Sequence, residues 1–342
     1  MVEEKFWSER LQDVLPGRAA KPRIGGLTMV IDKGLPIGVM RDIFELAAPH
    51  VDYWKFGFAS ASVCPPERVM DKIMLCQEYG VLAYPGGTSL EIAYVQGIWR
   101  DYLSALADAG VKVVEVSDGT VQIPLKTRRE IIRTARKMGF TVFSEIGKKL
   151  PGVFLPVTEQ AQIIHGDLNS GANYIIVEGR EAGTSIGVYD ADGNVKTEDV
   201  NALLDILGPL SSRLIWEAPL TKQQVFYVNH LGNKVNLGNI PPWDVVTLES
   251  IRRGFRSDTL RPTLGPVFAA DAGSRAFAAD ERGESEGVAV KGAIRPHRSR
   301  FGRSADEGIT LWTQARQGKA QGRGGSTRMA DPGAPDGGRR SY

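Results

Sequence analysis

Four glutamates lie at the ends of four apolar segments of the sequence: Glu115, Glu145, Glu178 and Glu217. Carboxylates that are brought together raise one another's pKa unless cations neutralise them. Mg²⁺ is a hard cation that suits carboxylates combined with an anionic substrate. Salt bridges to lysine and arginine are the alternative, and the spacing alone does not say which glutamates would bind metal. We expect a magnesium site formed by Glu115, Glu145 and Glu178.

Basic and small polar residues also lie at the ends of apolar segments of the sequence. Cationic side chains there suit a phosphorylated or carboxylated substrate, and arginine can bind oxyanions in a bidentate manner. The turn at residues 86–88 offers backbone N–H groups to an anion, although such a turn can also be purely structural. We expect the substrate-binding residues to be Asp32, Gly86, Gly87, Thr88, Asp118, Arg180 and Asn236, and the catalytic residues to be Lys33, Lys55 and Lys149.

Lys149 has the same parity as Glu145 along the chain, so in an extended segment both side chains point to one side. A lysine near a metal can shift its pKa downward and act as an acid or a base. Lys148 would then point away, toward solvent. The alternative is that both lysines are merely solvated residues before Pro151.

Eight apolar, β-branched runs are predicted to be strands. They span Gly26–Ile31, Val51–Phe56, Val81–Tyr84, Val111–Val116, Thr141–Ile146, Tyr174–Val177, Arg213–Trp216 and Lys234–Leu237. Between most of them, apolar residues recur with the i, i+3, i+4 spacing of helices, and glycines at 80, 110, 139 and 171 mark four helix ends. This alternation favours an α/β fold, a closed (β/α)₈ TIM barrel, over an open doubly wound sheet. A barrel would bring the polar strand ends together at one mouth.

The composition fits a soluble protein, with 42% hydrophobic and 24% charged residues. The sequence contains no run of about 18 apolar residues, the length that a membrane-spanning helix needs. The N-terminus lacks the apolar core of a secretory signal. Two cysteines suit a reducing cytoplasm, and four scattered histidines argue against a zinc site. We expect a cytoplasmic enzyme with small-molecule substrates and with neither a nucleic-acid nor a membrane partner. A homo-oligomer is compatible with this sequence.

Residues 1–260 are expected to form the catalytic barrel domain, and residues 261–342 a disordered tail. The tail contains 14 glycines, 13 alanines and 12 arginines, without apolar periodicity. Such a segment buries too little surface to offset the entropy of ordering. An alternative hypothesis is that this composition reflects GC-rich DNA that is read in a shifted frame.

An ordered series of motifs then narrows the function. They are Thr28-Met-Val-Ile-Asp-Lys-Gly-Leu35, Lys55-Phe-Gly57, Tyr84-Pro-Gly-Gly-Thr88, Glu115-Val-Ser-Asp-Gly119, Ser144-Glu-Ile-Gly-Lys-Lys149, Val177-Glu-Gly-Arg-Glu181, Trp216-Glu-Ala-Pro219 and Leu248-Glu-Ser-Ile-Arg-Arg-Gly254. Together they resemble the phosphosulfolactate synthase family, from about residue 20 to residue 260. The resemblance implies a (β/α)₈ lyase that uses Mg²⁺ to add sulfite to phosphoenolpyruvate. The product would be (2R)-phospho-3-sulfolactate, in the first step of coenzyme M biosynthesis.

The resemblance also implies that Lys149 delivers a proton to C2, while Lys33, Lys55 and Arg180 hold phosphate, carboxylate or sulfite. One segment departs from the family pattern. The family typically continues Trp-Gly-Thr-Ser where this chain reads Phe58-Ala-Ser-Ala61. Two alternatives therefore stay open: a barrel enzyme acting on another small phosphorylated or carboxylated acid, and a non-catalytic relative of plant proteins associated with heat stress.

Overall fold

The protein is described here by a computed structural model, which describes residues 6–148, 155–179, 182–185 and 187–264. The predicted tail lies outside the described residues from residue 265 onward. Its first four residues belong to the last described helix, which runs from Ser257 to Leu264 and so continues past the predicted boundary at residue 260.

Eight strands form the described sheet. They are β1 (Thr28–Asp32), β2 (Tyr53–Phe56), β3 (Leu82–Pro85), β4 (Val113–Val116), β5 (Thr141–Ile146), β6 (Tyr174–Val177), β7 (Leu214–Glu217) and β8 (Asn236–Ile240). All paired strands are parallel, in the order β3-β2-β1-β8-β7-β6-β5-β4. The pairing of β1 with β8 and the contact of β3 with β4 give a nearly closed barrel. The predicted (β/α)₈ architecture is therefore confirmed.

Helices connect the strands and cover the barrel. They are α1 (Trp7–Arg10), α2 (Ile37–Ala47), α3 (Ser60–Val63), α4 (Pro66–Glu78), α5 (Gly87–Val95), α6 (Trp99–Asp108), α7 (Leu125–Lys137), α8 (Val157–Asn169), α9 (Thr197–Leu207), α10 (Thr221–Leu231), α11 (Val245–Arg252) and α12 (Ser257–Leu264). Short 3₁₀ helices span Ala48–His50, Gly208–Arg213 and Pro242–Asp244. None of the described helices is long and apolar enough to cross a membrane.

The glycine signals for the helix ends are correct. Gly80, Gly110, Gly139 and Gly171 all have positive φ angles, between 63° and 111°, at the ends of α4, α6, α7 and α8. Glycine adopts this left-handed conformation without the steric cost that a Cβ imposes. Two helices follow β3, and the first of them, α5, begins directly at the mouth of the barrel.

The barrel interior below the mouth is filled by aromatic side chains. The rings of Tyr53 and Tyr84 meet the ring of Phe143 edge to face, with centroids 4.9 and 5.5 Å apart. This apolar floor excludes water beneath the polar layer above it. Charges in that layer therefore interact more strongly than they would in water.

Candidate active site

The ammonium group of Lys55 lies at the centre of the mouth. Its Nζ is 3.1 Å from a carboxylate oxygen of Glu115, 3.1 Å from one of Glu217 and 3.6 Å from one of Glu145. All four side chains are buried. Burial acts to lower the pKa of Lys55, but the attraction of Glu115, Glu217 and Glu145 outweighs it and raises the pKa well above 10.5. Lys55 is therefore a permanent cation at neutral pH.

Three glutamates form a group that could hold a metal ion. One carboxylate oxygen from each of Glu145, Glu178 and Glu217 lies within 4.8 Å of the others, and all three residues are buried. A set of carboxylate oxygens is the donor chemistry that Mg²⁺ prefers. The residues present therefore fit a divalent cation. The trio differs from the predicted one, because Glu217 takes the place that we expected for Glu115.

Glu115 is held by protein groups instead. Its Oε1 accepts a 2.7 Å hydrogen bond from the backbone N–H of Gly87, and its Oε2 accepts a 3.1 Å bond from the Tyr84 hydroxyl. Burial, with the nearby Glu115 carboxylate, raises the pKa of Tyr84, which keeps the hydroxyl protonated as a donor. At least one N–H of the predicted Gly86-Gly87 anion cradle thus binds a carboxylate of the protein itself.

A cavity of about 370 Å³ opens above this cluster. Its lining residues are Ile31, Lys55, Gly57, Phe58, Gly86, Gly87, Thr88, Glu115, Thr120, Glu145, Glu178, Glu217 and Asn239. Charged groups of both signs and small polar groups thus converge on a space suited to a small, highly charged acid.

Gly147 lets two strand ends approach closely. Its φ is +118°, and a Cβ at this position would lie 2.6 Å from the Cβ of Glu178. A larger residue would therefore displace Glu178 from the carboxylate group. This is a physical reason for glycine between the predicted metal ligand Glu145 and the lysine pair that follows it.

Asp118 pairs with two basic residues beside the mouth of the barrel. Its Oδ1 accepts a 3.0 Å bond from Arg128, and its Oδ2 accepts a 2.8 Å bond from Lys148. Arg128 is fully buried and also donates to the backbone oxygen of Glu145 at 2.7 Å, which fixes the end of β5. The expectation that Lys148 points to solvent is therefore wrong, because its ammonium pairs with Asp118.

Three further predicted residues do not face the cavity. The Asp32 carboxylate accepts hydrogen bonds from the Trp54 ring N–H and from Lys72 of α4, so it points to the helix layer. Lys33 is exposed and is not among the residues that line the cavity. Asn236 lies at the opposite end of the barrel, where its amide bonds to Leu27, Ser212 and Leu214.

The position of Asn236 follows from the bounds of β8. The strand begins at Asn236 and ends at Ile240, whereas the apolar pattern placed it at Lys234–Leu237. The residue that β8 brings to the mouth is Asn239. Lys149 and Arg180, which we expected to act in catalysis and substrate binding, lie outside the described residues.

Sequence reasoning missed two residues that hold the mouth together. Arg128 precedes Ile131, Ile132 and Ala135 at helical spacing, so its place on an apolar helix face was a usable signal of a buried arginine. Glu91 of α5 gave no such signal. It accepts hydrogen bonds from the hydroxyl of Ser117 and from the backbone N–H groups of residues 119–121, and so fixes the loop after β4.

Comparisons with known proteins identify the family of this chain. Residues 16–258 match the family model described as (2R)-phospho-3-sulfolactate synthase (ComA). The chain is 40% identical to the phosphosulfolactate synthase of Methanothermobacter thermautotrophicus, over 72% of this chain and 95% of that protein. It is 38% identical to the phosphosulfolactate synthase of Methanocaldococcus jannaschii, over 68% and 93%.

A plant protein is a more distant relative. The chain is 22% identical to the protein HEAT-STRESS-ASSOCIATED 32 of Arabidopsis thaliana, over 69% of this chain and 88% of that protein. The higher identity to the two synthases favours an enzyme over the non-catalytic alternative. The chain belongs to the phosphosulfolactate synthase family, a family of enzymes that form a carbon–sulfur bond.

Proposed function

We propose that the mouth of the barrel catalyses the Mg²⁺-dependent addition of sulfite to phosphoenolpyruvate, which gives (2R)-phospho-3-sulfolactate. The observation that carries this proposal is the buried group of Glu145, Glu178 and Glu217 beside the Lys55 ammonium, in a cavity sized for a small acid. The described residues that line this cavity include four glutamates and one lysine. A divalent cation among these carboxylates would reduce their mutual repulsion and favour the binding of an anionic substrate.

The reaction places specific demands on these residues. The sulfite lone pair forms a bond to the methylene carbon of phosphoenolpyruvate, and the electrons of the C=C bond move toward the substrate carboxylate. A proton must then be delivered to C2. Negative charge therefore grows on the carboxylate, and preorganised positive charge in a buried site stabilises that charge.

Glu145, Glu178 and Glu217 are the residues that would hold Mg²⁺, and the bound cation would stabilise negative charge on the substrate carboxylate. The raised pKa of Lys55 keeps its ammonium protonated, so Lys55 acts as a fixed positive charge or a hydrogen-bond donor and not as a base. By its place in the family motif, Lys149 is assigned the delivery of the proton to C2. We assign no catalytic role to Lys33, because it is exposed.

Product analysis tests this proposal. The purified chain is incubated with phosphoenolpyruvate and Mg²⁺, with and without sulfite, and the products are followed by ³¹P NMR and mass spectrometry. We expect phosphoenolpyruvate to disappear only with sulfite and to yield a phosphorylated sulfonate. Consumption of phosphoenolpyruvate without sulfite, or binding without any consumption, would instead support an enzyme that acts on another small phosphorylated or carboxylated acid.

A further inference from the structure

The end of β8 carries a β-bulge at the mouth of the barrel. Thr28 of β1 pairs with Leu237, but Val30 pairs with Ile240, so β8 has one residue more than its partner over this stretch. Asn239 lies in the bulge with a φ angle of +52°. A left-handed backbone is unfavourable for residues other than glycine, although asparagine tolerates it better than most. Bulges next to active sites commonly re-aim a side chain.

The side chain of Asn239 is buried against the site cavity. The residue is only 3% exposed and lines the same cavity as Glu145, Glu178 and Glu217. Its Oδ1 atom is buried and has no hydrogen-bond partner within the part of the chain that the structure describes. A buried amide oxygen without a partner is unfavourable. Strained backbone and an unsatisfied polar atom at one position together indicate a ligand.

The chemistry of Oδ1 restricts what that ligand can be. An amide oxygen accepts hydrogen bonds or coordinates a cation. Phosphoenolpyruvate and sulfite are oxyanions, which present lone pairs that Oδ1 would repel. The Lys55 ammonium donates a 3.1 Å hydrogen bond to Glu217 and forms ion pairs with Glu115 and Glu145, so carboxylates already surround it. A hydrated divalent cation satisfies an acceptor of this kind.

We infer that Asn239 supplies a fourth oxygen to the divalent cation held by Glu145, Glu178 and Glu217. This inference rests on the proposed function for the presence of the cation. A neutral amide adds an oxygen ligand without adding to the repulsion among the carboxylates. The bulge then turns this oxygen toward the three glutamates. Binding of the cation offsets the free-energy cost of the left-handed backbone at Asn239.

Direct metal binding tests this inference without a measurement of activity. Mn²⁺ is titrated into the full-length wild-type chain and into the Asn239→Gly and Asn239→Asp variants, by calorimetry and by electron paramagnetic resonance of free Mn²⁺. We expect Asn239→Gly to weaken Mn²⁺ binding by about 10- to 100-fold. We expect Asn239→Asp, which retains an oxygen at this position, to bind Mn²⁺ at least as tightly as the wild type.

Thermal unfolding without metal separates ligation from a structural role. Glycine relieves the left-handed backbone, so the unfolding midpoint of Asn239→Gly should equal or exceed that of the wild type. Wild-type Mn²⁺ affinity in Asn239→Gly would overturn the inference. So would a lowered midpoint together with loss of binding in both variants, because that pattern indicates a structural residue.

A Glu178→Gln variant shows whether a negative result removes only the role of Asn239 or the whole proposed metal site. Loss of Mn²⁺ binding in Glu178→Gln with full binding in Asn239→Gly would support the carboxylate metal site and refute only the role of Asn239 as a ligand. An absence of Mn²⁺ binding to the wild-type chain would overturn both the carboxylate site and the role of Asn239.

Discussion

The two ends of the barrel both bury charged side chains, but they do so in different ways. At the amino-terminal end, Arg252 is fully buried and donates to the backbone oxygens of Asn233, Val235 and Leu27. Neighbouring ion pairs there join Arg18 with Glu249 and Arg23 with Asp52, and the His50 ring lies 3.6 Å from Glu249. At the mouth, one lysine faces three carboxylates.

This difference suggests that the charges at the amino-terminal end stabilise the fold, whereas those at the mouth serve function. The amino-terminal network satisfies carbonyls that would otherwise be buried without partners, and Arg252 links the residues just before β1 and β8. At the mouth, the described residues that line the cavity include four glutamates and one lysine, and we propose that a bound cation completes this group. TIM barrels in general locate catalysis at the carboxyl end of the strands and stability at the amino end.

The first prediction concerns Lys55. Replacement of Lys55 by Met removes the fixed positive charge from the mouth, so kcat/KM for the sulfite-dependent reaction should fall by about 10²- to 10³-fold. Steady-state kinetics on variants checked for folding by circular dichroism measures this. Lys112→Met, which removes an exposed lysine at the amino end of β4, is the matched control and should leave kcat/KM unchanged. Equal activity in Lys55→Met and the wild type would remove Lys55 from the mechanism.

The second prediction concerns the opposite end. Arg252→Met should lower the free energy of unfolding by about 3 kcal/mol, because it leaves buried backbone oxygens without their charged donor. Urea unfolding measures the loss. The folded fraction should retain the wild-type kcat, since Arg252 lies far from the mouth. A variant that keeps its stability but loses kcat would contradict the division between the two ends.

Several features of both ends were readable from the sequence. Strand–helix alternation, the four helix-ending glycines and the strand-end glutamates identified the barrel and the acidic mouth. The exact ends of β8 were not readable, because a bulge breaks the regular alternation, and Asn236 was therefore chosen instead of Asn239. The direction of side chains at the strand ends could not be predicted from the sequence either. Asp32 ends β1 and Asp118 follows β4, as active-site residues do, yet their partners are Lys72 of α4 and Arg128 of α7.

A third prediction uses pH. The folded-state pKa of Lys55 is raised above its unfolded value of 10.5, so its ion pairs stabilise the fold fully below pH 10.5 and less as pH rises through the folded-state pKa. The difference in unfolding free energy between wild type and Lys55→Met should therefore be constant from about pH 7 to 10 and shrink above that range. Denaturant titrations across this range check it. A difference that disappears near neutral pH would mean that Lys55 is not held as a cation.

The smallest predicted effect lies beside the mouth, where this chain departs from the family pattern. Ala59 has a φ angle of +52° and is buried. Ala59→Gly should raise the free energy of unfolding by about 0.5–1 kcal/mol, because glycine adopts this backbone without a clash of its Cβ. Urea unfolding measures the gain, and Ala61→Gly, with helical backbone in α3, is the control that should lose stability. A loss in Ala59→Gly would show that its methyl group is needed for packing.

The dependence of the reaction on a divalent cation is the most direct test of the central claim about the mouth. The sulfite-dependent consumption of phosphoenolpyruvate by the wild-type chain is measured in excess chelator and then over a series of Mg²⁺ concentrations. We expect no turnover in chelator and a saturable return of activity as Mg²⁺ is added. An undiminished rate in excess chelator would contradict the assignment of Glu145, Glu178 and Glu217 as a catalytic metal site.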